Sequence, residues 1–164
     1  MNSDDASSPD EIGAALGRVP SGLFIVTTRD EEDRPLGFLG SFVQQVAIEP
    51  PTVCVAVAPE REHLAAIRRR GVFALSVLGE GDRGLMKPFF KKPEDGSPFD
   101  DVEVESAPNG SPVLGKSLSW LECRVTGEHD AGDHIVVFGT VESGAKRRDG
   151  EPLVHTRRSG LRYS

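Results

Sequence analysis

A long β-hairpin is predicted by the stretch LSWLECRVTGEHDAGDHIVVFGTVES, residues 118–143. Apolar and β-branched residues recur through 118–129 and again through 134–143, which favours strands. Between these runs, Asp130-Ala131-Gly132-Asp133 supplies residue types that accept a tight turn. The sequence therefore predicts two long antiparallel strands joined by a short turn, with the rest of the fold built around them.

Shorter strands are predicted on both sides of this hairpin. Each is an apolar or β-branched run bounded by Gly, Pro or charged residues, and together they cover residues 22–28, 35–46, 52–57, 72–78, 102–105 and 152–156. The run 52–57, TVCVAV, lacks polar alternation, which predicts a central strand. Strands at this spacing, with little βαβ alternation, predict a mostly β protein: an antiparallel β-barrel with a few helices.

Two or three helices accompany the strands. Residues 8–11, Ser-Pro-Asp-Glu, have the pattern of a capping box with proline at the first helical position. A second helix is predicted over residues 60–70, ending at Gly71. Residues 82–90 are expected to be irregular or briefly helical, because Pro88 limits a helix there.

Length and charge restrict the class of protein. The chain has 164 residues, which suits one domain, expected over residues 11–164 after a disordered tail at 1–10. The net charge is −7, which argues against a nucleic-acid-binding protein. The acidic start resembles neither a signal peptide nor a membrane span, so we expect a cytoplasmic protein without membrane attachment. Cys54 and Cys123 lie in apolar runs and are expected to be buried thiols, and no metal site is predicted.

The segment 37–46, GFLGSFVQQV, is an unusual strand. Two glycines, a serine and two glutamines interrupt its β pattern. Glycines inside a strand mark a bulge or the close approach of another group. The exposed backbone amides suit the edge of a flat ring system, with Ser41 able to donate a hydrogen bond to a phosphate and a glutamine to a ring carbonyl. A bulged edge strand with solvated glutamines explains the pattern equally well.

A phosphate site is also conceivable at the start of the second helix. The chain has neither a P-loop nor a G-x-G-x-x-G motif, so a nucleotide would not be bound in the Rossmann manner. The first turn of a helix attracts anions, and Arg61 lies there. Glu60 and Glu62 already supply negative charge at this position, and on this unit alone the structural explanation is favoured.

Motifs along most of the chain resemble the flavin reductase-like family. They are GLFIVTT, GFLGSFVQQVAIEPP, a helix ending in Arg-Gly before VFALSVL, SPVLG, LECRV and GDHIVVFGTVE. The resemblance runs from about Ile12 to Tyr163 and implies the FMN-binding split barrel, of antiparallel Greek-key type. LMKPFFKK, NGSPVLG, SWLECRV and HTRRSGLRY are most similar to the flavin reductase-like domain of flavodiiron proteins from oxygenic phototrophs. No diiron or flavodoxin-like domain accompanies it here, so a stand-alone version is expected.

The resemblance implies a cofactor, FMN with FAD as the alternative, and NAD(P)H as co-substrate. It places the flavin against the loop 37–46, Arg61 beside the phosphate, and the LMKPFFKK segment nearby. His134, in the GDH motif, is implied to lie beside the flavin where a nicotinamide would stack and is the catalytic candidate, whereas a hydrogen bond to Asp133 is its structural alternative. The implied flavin-binding residues are Phe38, Leu39, Gly40, Ser41, Phe42, Gln44, Gln45, Val46, Arg61, Phe90 and Lys92. A homodimer and a redox partner protein are further expectations.

Three functions are compatible with these features. The first is an NAD(P)H-dependent flavin reductase, in which the cofactor carries the chemistry and the protein supplies position and electrostatics. The second is a non-enzymatic FMN electron-transfer module reduced by a partner protein. The third is a binding module of this fold that has lost its flavin.

Overall fold

A computed structural model describes residues 6–90 and 93–162. Its strands, β1 to β11 in chain order, are Ser21–Gly22, Phe24–Arg29, Pro35–Gly40, Val43–Ala47, Thr52–Val57, Val72–Val77, Val104–Ser106, Pro112–Leu114, Ser119–Asp130, Ile135–Lys146 and Val154–His155. Its helices are α1, Pro9–Leu16; α2, Glu62–Arg70; and α3, Arg83–Phe90. The protein is mostly β, as predicted.

Seven strands form one antiparallel sheet in the order β3-β2-β6-β9-β10-β5-β4. The predicted hairpin is confirmed as β9 and β10, which pair from Ile135 opposite Asp130 to Lys146 opposite Ser119. In its turn, the Gly132 amide donates to Asp130 Oδ1 at 2.8 Å. Gly132 has φ 104°, a conformation that favours glycine. Strand β5 lies beside β10 although it precedes β6 and β9 in the chain, which is the Greek-key order.

The sheet curls into a barrel, as residues of its two edge strands pack into one core. Phe38 on β3 and Val43 on β4 belong to the same buried cluster, although these strands lie at opposite edges of the sheet. The other members are Val26, Val53, Val55, Val57, Leu64, Ile67, Phe73, Leu75, Cys123, Ile135 and Val137. The barrel is therefore split between β3 and β4, and the chain crosses this split at Ser41 and Phe42.

The prediction of a single strand over residues 35–46 is wrong. Residues 35–40 pair with β2, whereas residues 43–47 pair with β5 on the other edge of the sheet. Because the two halves bind different partners, they belong to different strands. An added Cβ at Gly40 would lie 3.0 Å from Val26 Cγ2, so the chain turns where its backbone packs closely on β2.

The helices differ in detail from the predictions. The capping box of α1 is confirmed: the Ser8 amide donates to Glu11 Oε2 at 2.8 Å, and the Glu11 amide donates to Ser8 Oγ at 3.3 Å. Helix α1 begins at Pro9, so residues 9 and 10 are helical rather than part of the predicted tail, whose residues 1–5 lie outside the described residues. Helix α2 begins at residue 62 rather than 60, with Arg61 as its N-cap, and ends at Gly71 as predicted.

The segment 82–90 is briefly helical, which is one of the two predicted alternatives, but Pro88 lies inside the helix over 83–90 and does not limit it. The expected burial of both cysteines needs correction. Cys54 is only partly buried, whereas Cys123 is fully buried. The reason is that β5 alternates between buried and half-buried residues, so Cys54 points away from the face that carries its valines into the core.

The C-terminal segment, residues 152–160, crosses the outside of the barrel. Val154 and His155 pair with β1, and the Leu153 amide donates to the Leu78 carbonyl at 2.9 Å. Further on, the Gly160 amide donates to the Gly13 carbonyl of α1 at 2.7 Å. This segment therefore connects α1 with the end of the barrel near the β3–β4 split.

Candidate functional site

A cavity of about 580 Å³ opens at the β3–β4 split. The crossing between the two strands, the end of β5, the start of α2, α3, the hairpin turn and the C-terminal segment meet there. Its lining comprises Leu23, Phe38, Leu39, Gly40, Ser41, Phe42, Ala56, Val57, Ala58, Arg61, Arg83, Met86, Phe89, Phe90, His134, Leu153, Val154, His155 and Arg157. The volume lies within the range of small-molecule and cofactor sites, about 300–1,000 Å³.

Five consecutive residues, 38–42, form one wall of this cavity. Phe38 is buried, whereas Phe42 is 37% exposed. The Phe42 carbonyl accepts a hydrogen bond from the Ala56 amide at 3.0 Å, which fixes the crossing against the end of β5. The wall thus combines one buried ring, one accessible ring and a short stretch of backbone at Gly40 and Ser41.

The buried ring of this wall is contacted by an arginine and a histidine. The Arg61 guanidinium carbon lies 5.8 Å from the centre of the Phe38 ring. The His63 ring packs edge-on against Phe38, with ring centres 5.0 Å apart, and its Nε2 lies 3.2 Å from the Gly37 carbonyl. Arg61 is therefore held over the wall at the start of α2, where the first backbone amides of the helix have no partners within it.

The accessible ring, Phe42, is also contacted by an arginine and a histidine, which come from the C-terminal segment and the hairpin. The Arg157 guanidinium carbon lies 4.6 Å from the centre of the Phe42 ring. The His134 ring meets Phe42 edge-on, with ring centres 5.5 Å apart. Each phenylalanine ring of the wall is thus in contact with one arginine and one histidine.

His134 is positioned by the hairpin turn. Its side chain is 12% exposed, and its Nδ1 donates to Asp133 Oδ1 at 2.8 Å. This hydrogen bond, together with the charge of the neighbouring imidazole, lowers the pKa of Asp133 below its ordinary value. His134 therefore lines the cavity and makes the hydrogen bond to Asp133 that was its structural alternative, while its place beside a flavin stays a prediction.

The charge of the cavity lining is opposite to that of the whole chain. Arg61, Arg83 and Arg157 line it together with two histidines, and the lining formed by residues 6–90 and 93–162 contains no Asp or Glu. Among the described residues, none of these three arginines forms an ion pair, whereas seven arginines elsewhere pair with carboxylates: Arg34, Arg68, Arg69, Arg70, Arg124, Arg147 and Arg148. In a chain of net charge −7, this arrangement favours an anionic ligand.

The structure brings most of the predicted site residues into this cavity. They are Phe38, Leu39, Gly40, Ser41, Phe42, Arg61, Phe90 and His134. The structure does not bring Gln44, Gln45 and Val46 there, because β4 continues along β5 and away from the opening. Gln44 and Gln45 instead border a groove on another face of the sheet, and Val46 is exposed. Lys92 lies outside the described residues.

Sequence reasoning missed the contribution of the C-terminal segment and named only Phe90 from α3. Arg157 and His155 come from the first, and Arg83, Met86 and Phe89 from the second. Arg157 lies within HTRRSGLRY, a motif of the family resemblance that had been given no role. Only its distance to Phe42 distinguishes it from the exposed Arg158 beside it.

The sequence profile of the flavin reductase like domain matches residues 16–162. The chain belongs to this family. Relatives in Synechocystis sp. include a protein named diflavin flavoprotein A 3, 41% identical over 151 residues, and diflavin flavoprotein A 1, 35% identical over 156 residues. The matches cover 91% and 93% of this chain, but 25% and 27% of those proteins. This member of the flavin reductase-like family thus spans about a quarter of the length of these relatives.

Solved structures of the family have the same fold. The nitrilotriacetate monooxygenase component B homologue of Mycobacterium thermoresistibile superimposes with a TM-score of 0.81 at 29% identity, covering 88% of this chain and 80% of that one. The NADH:FAD oxidoreductase of Streptomyces globisporus superimposes with a TM-score of 0.80 at 25% identity, covering 91% and 87%. Within residues 6–90 and 93–162, no helix is long and apolar enough to cross a membrane.

Proposed function

We propose that this chain is an NAD(P)H-dependent flavin reductase that binds FMN in the cavity at the β3–β4 split. The observation that carries the proposal is the composition of this cavity: apolar and aromatic walls, three arginines that form no ion pair with any described residue, and His134 in its lining. A flavin needs an apolar surface for its ring system and cations for its phosphate. Family membership supports the same conclusion.

The residues present fit a phosphorylated flavin. Arg61 and the first amides of α2 would hold the phosphate, since both charge and free N–H groups favour an anion there. The backbone at Gly40 and Ser41 and the rings of Phe38 and Phe42 would face the ring system. When bound, the flavin supplies hydride acceptance, and the protein's part is to bind, orient and exclude water.

His134 would orient the nicotinamide. Its hydrogen bond to Asp133 fixes which way the imidazole faces at the edge of the cavity. Hydride transfer requires no protein acid or base, so this role is one of positioning within a short distance. Removing the ring is therefore expected to slow flavin reduction without abolishing flavin binding.

Stopped-flow mixing of FMN-loaded protein with NADH and with NADPH tests the proposal. We expect at least one donor to bleach the flavin absorbance faster than it bleaches free FMN. His134→Ala should slow this step roughly tenfold or more, whereas His129→Ala, an exposed histidine of the same hairpin, should leave it unchanged. No bleaching above the rate for free FMN in the wild-type protein would refute the reductase activity.

An electron-transfer module is the second candidate, favoured by the length comparison: this chain spans only a quarter of its diflavin relatives. Protein that copurifies with flavin, resists NADH and NADPH, and is reduced by dithionite would support it. Colourless protein without affinity for FMN or FAD would instead indicate a module that has lost its flavin. Titration with both flavins also decides between FMN and FAD.

The proposed assembly is a homodimer with a separate electron acceptor. Val46 and Ile48, 49% and 84% exposed, lie near the β4 edge of the sheet and leave apolar surface for a second copy. Light scattering that gives the mass of a monomer at working concentration would refute the dimer.

A further inference from the structure

Arg157 is a second cationic position in the cavity, separate from Arg61. It lies over the accessible ring of Phe42, which also contacts His134. Arg61 lies over the buried ring of Phe38 at the start of α2. The two arginines therefore come from different elements and contact different phenylalanine rings of the same wall.

Helix α1 holds Arg157 in place through its backbone. The Arg157 amide donates to the Gly17 carbonyl at 3.1 Å, and the Arg157 carbonyl accepts from Arg18 Nη2 at 2.9 Å. The contact is close, because a Cβ at Gly17 would lie 2.4 Å from the Arg157 carbonyl oxygen. The residue is half-buried: its backbone is held by Gly17 and Arg18 at the end of α1, and its guanidinium lies against the Phe42 ring.

The charge of Arg157 is available to a ligand. Within the described part of the chain, no carboxylate pairs with it and none lines the cavity. An arginine presents several N–H donors in a planar fork that matches a phosphate. FMN brings a single phosphate, for which Arg61 and the start of α2 suffice, whereas a nicotinamide dinucleotide brings phosphates of its own to the side of the cavity that carries His134.

Building on the proposed function, we propose that Arg157 binds a phosphate group of the nicotinamide cofactor and thereby sets the affinity for the hydride donor independently of the flavin. Arg61 then serves the flavin and Arg157 the dinucleotide. The segment around Arg157 is thus a specificity element attached to the barrel through α1.

Binding of oxidised dinucleotides tests this directly, because NAD⁺ and NADP⁺ cannot reduce the flavin. Calorimetric titration of FMN-loaded protein with each is compared for wild type, Arg157→Ala, Arg157→Lys and the matched control Arg158→Ala. We expect Arg157→Ala to weaken binding of the preferred dinucleotide roughly tenfold or more, and Arg157→Lys to recover part of it as a point charge. Arg158→Ala, and the FMN affinity of every variant, should stay within about twofold of wild type.

Gly17→Ala gives a second, independent perturbation. The added methyl would displace the Arg157 backbone while leaving its charge intact, so we expect weaker dinucleotide binding with unchanged FMN affinity. In stopped flow, Arg157→Ala should raise the half-saturating donor concentration and leave the limiting rate of flavin reduction within about twofold. Thermal melts of each variant identify any loss of folding.

The outcomes separate this inference from the proposed function. Wild-type protein that binds a dinucleotide but is not reduced by NADH or NADPH would refute the reductase activity, while the variants would still report on Arg157. Unchanged dinucleotide affinity in Arg157→Ala, or an equal loss of FMN affinity, would overturn the role of Arg157. So would wild-type protein that binds neither NAD⁺ nor NADP⁺.

Discussion

Replacing Arg61 with serine is expected to weaken FMN binding without destabilising the fold. Arg61 is the N-cap of α2, but its side chain makes no capping hydrogen bond. Its positive charge also lies at the end of the helix where the dipole disfavours a cation. Arg61 is therefore an unfavourable N-cap for the stability of α2, so its presence is better explained by a role in binding.

The stability change can be estimated from the contacts. A serine N-cap contributes about 1 kcal/mol over a non-capping residue, and removing the cation from the helix start contributes about 0.3–1 kcal/mol. The lost contact between Arg61 and Phe38, near the outer limit of such interactions at 5.8 Å, costs about 0.5 kcal/mol. The net effect is a stabilisation of about 1 kcal/mol, which raises Tm by about 2–4 °C in a chain of this size.

The ligand change has the opposite sign. A hydrogen bond to a charged group contributes about 1.5–3 kcal/mol, so Arg61→Ser should weaken FMN binding about 10- to 100-fold. Riboflavin lacks the phosphate, so its affinity should be equal for wild type and variant. Flavin fluorescence titrations with FMN and riboflavin measure both, and differential scanning calorimetry measures Tm.

Arg69→Ser is the matched control for this substitution. Arg69 lies on the same helix, pairs with Glu31 at 2.5 Å on the surface and does not line the cavity. It should leave the affinity for both flavins unchanged. An FMN affinity reduced less than threefold by Arg61→Ser, or a parallel loss of riboflavin affinity, would refute the assignment of Arg61 to the phosphate.

Other predictions concern the core and the hairpin turn. Gly139→Ala should destabilise the fold by about 1–3 kcal/mol in urea denaturation, because the added Cβ would lie 2.9 Å from Cys123 Cβ. Gly127→Ala has open space around it and should change the free energy of unfolding by less than about 0.5 kcal/mol, so equal effects of the two substitutions would contradict this packing. Burial raises the pKa of Cys123 to about 12, so the native thiol should react slowly with iodoacetamide. Mass spectrometry should find Cys123 unmodified at pH 8 in the native state and modified in urea, and rapid labelling of the native protein would contradict its burial. The pKa of Asp133 is lowered in the folded state, so its hydrogen bond from His134 stabilises the fold at pH values above the unfolded pKa of about 3.9. This stabilisation is lost as the pH falls through the folded-state pKa of Asp133. The difference in Tm between wild type and Asp133→Asn should therefore shrink below about pH 4, and a difference independent of pH would contradict it.

The hairpin and most strand positions could be predicted from the sequence. β-branched residues, the turn at Gly132 and the capping box at Ser8 act over a few residues, so their effect is visible in the chain itself. The run at 52–57 was predicted as a strand with the bounds that the structure shows. Local signals also placed the end of α2 at Gly71, where φ is 67°.

The site was predictable only in part. Residues 38–42 stood out because glycines and a serine interrupt a strand, and these residues do line the cavity. Gln44 and Gln45 belong to the same interrupted segment, yet they lie elsewhere. Nothing local shows that the chain leaves one edge of the sheet at Gly40 and joins the other edge at Val43, because that choice depends on which strands bind each half.

The sequence by itself determined the class of fold, the hairpin and the residues that interrupt the strand at 37–46. Only the tertiary structure showed that the barrel is split at this point and that Arg61 and Arg157, 96 positions apart in the chain, lie over neighbouring rings of one wall. The physical reason is range. Propensities, caps and turns are interactions between close neighbours in sequence, whereas the cavity is formed by elements that meet only when the sheet curls around its core.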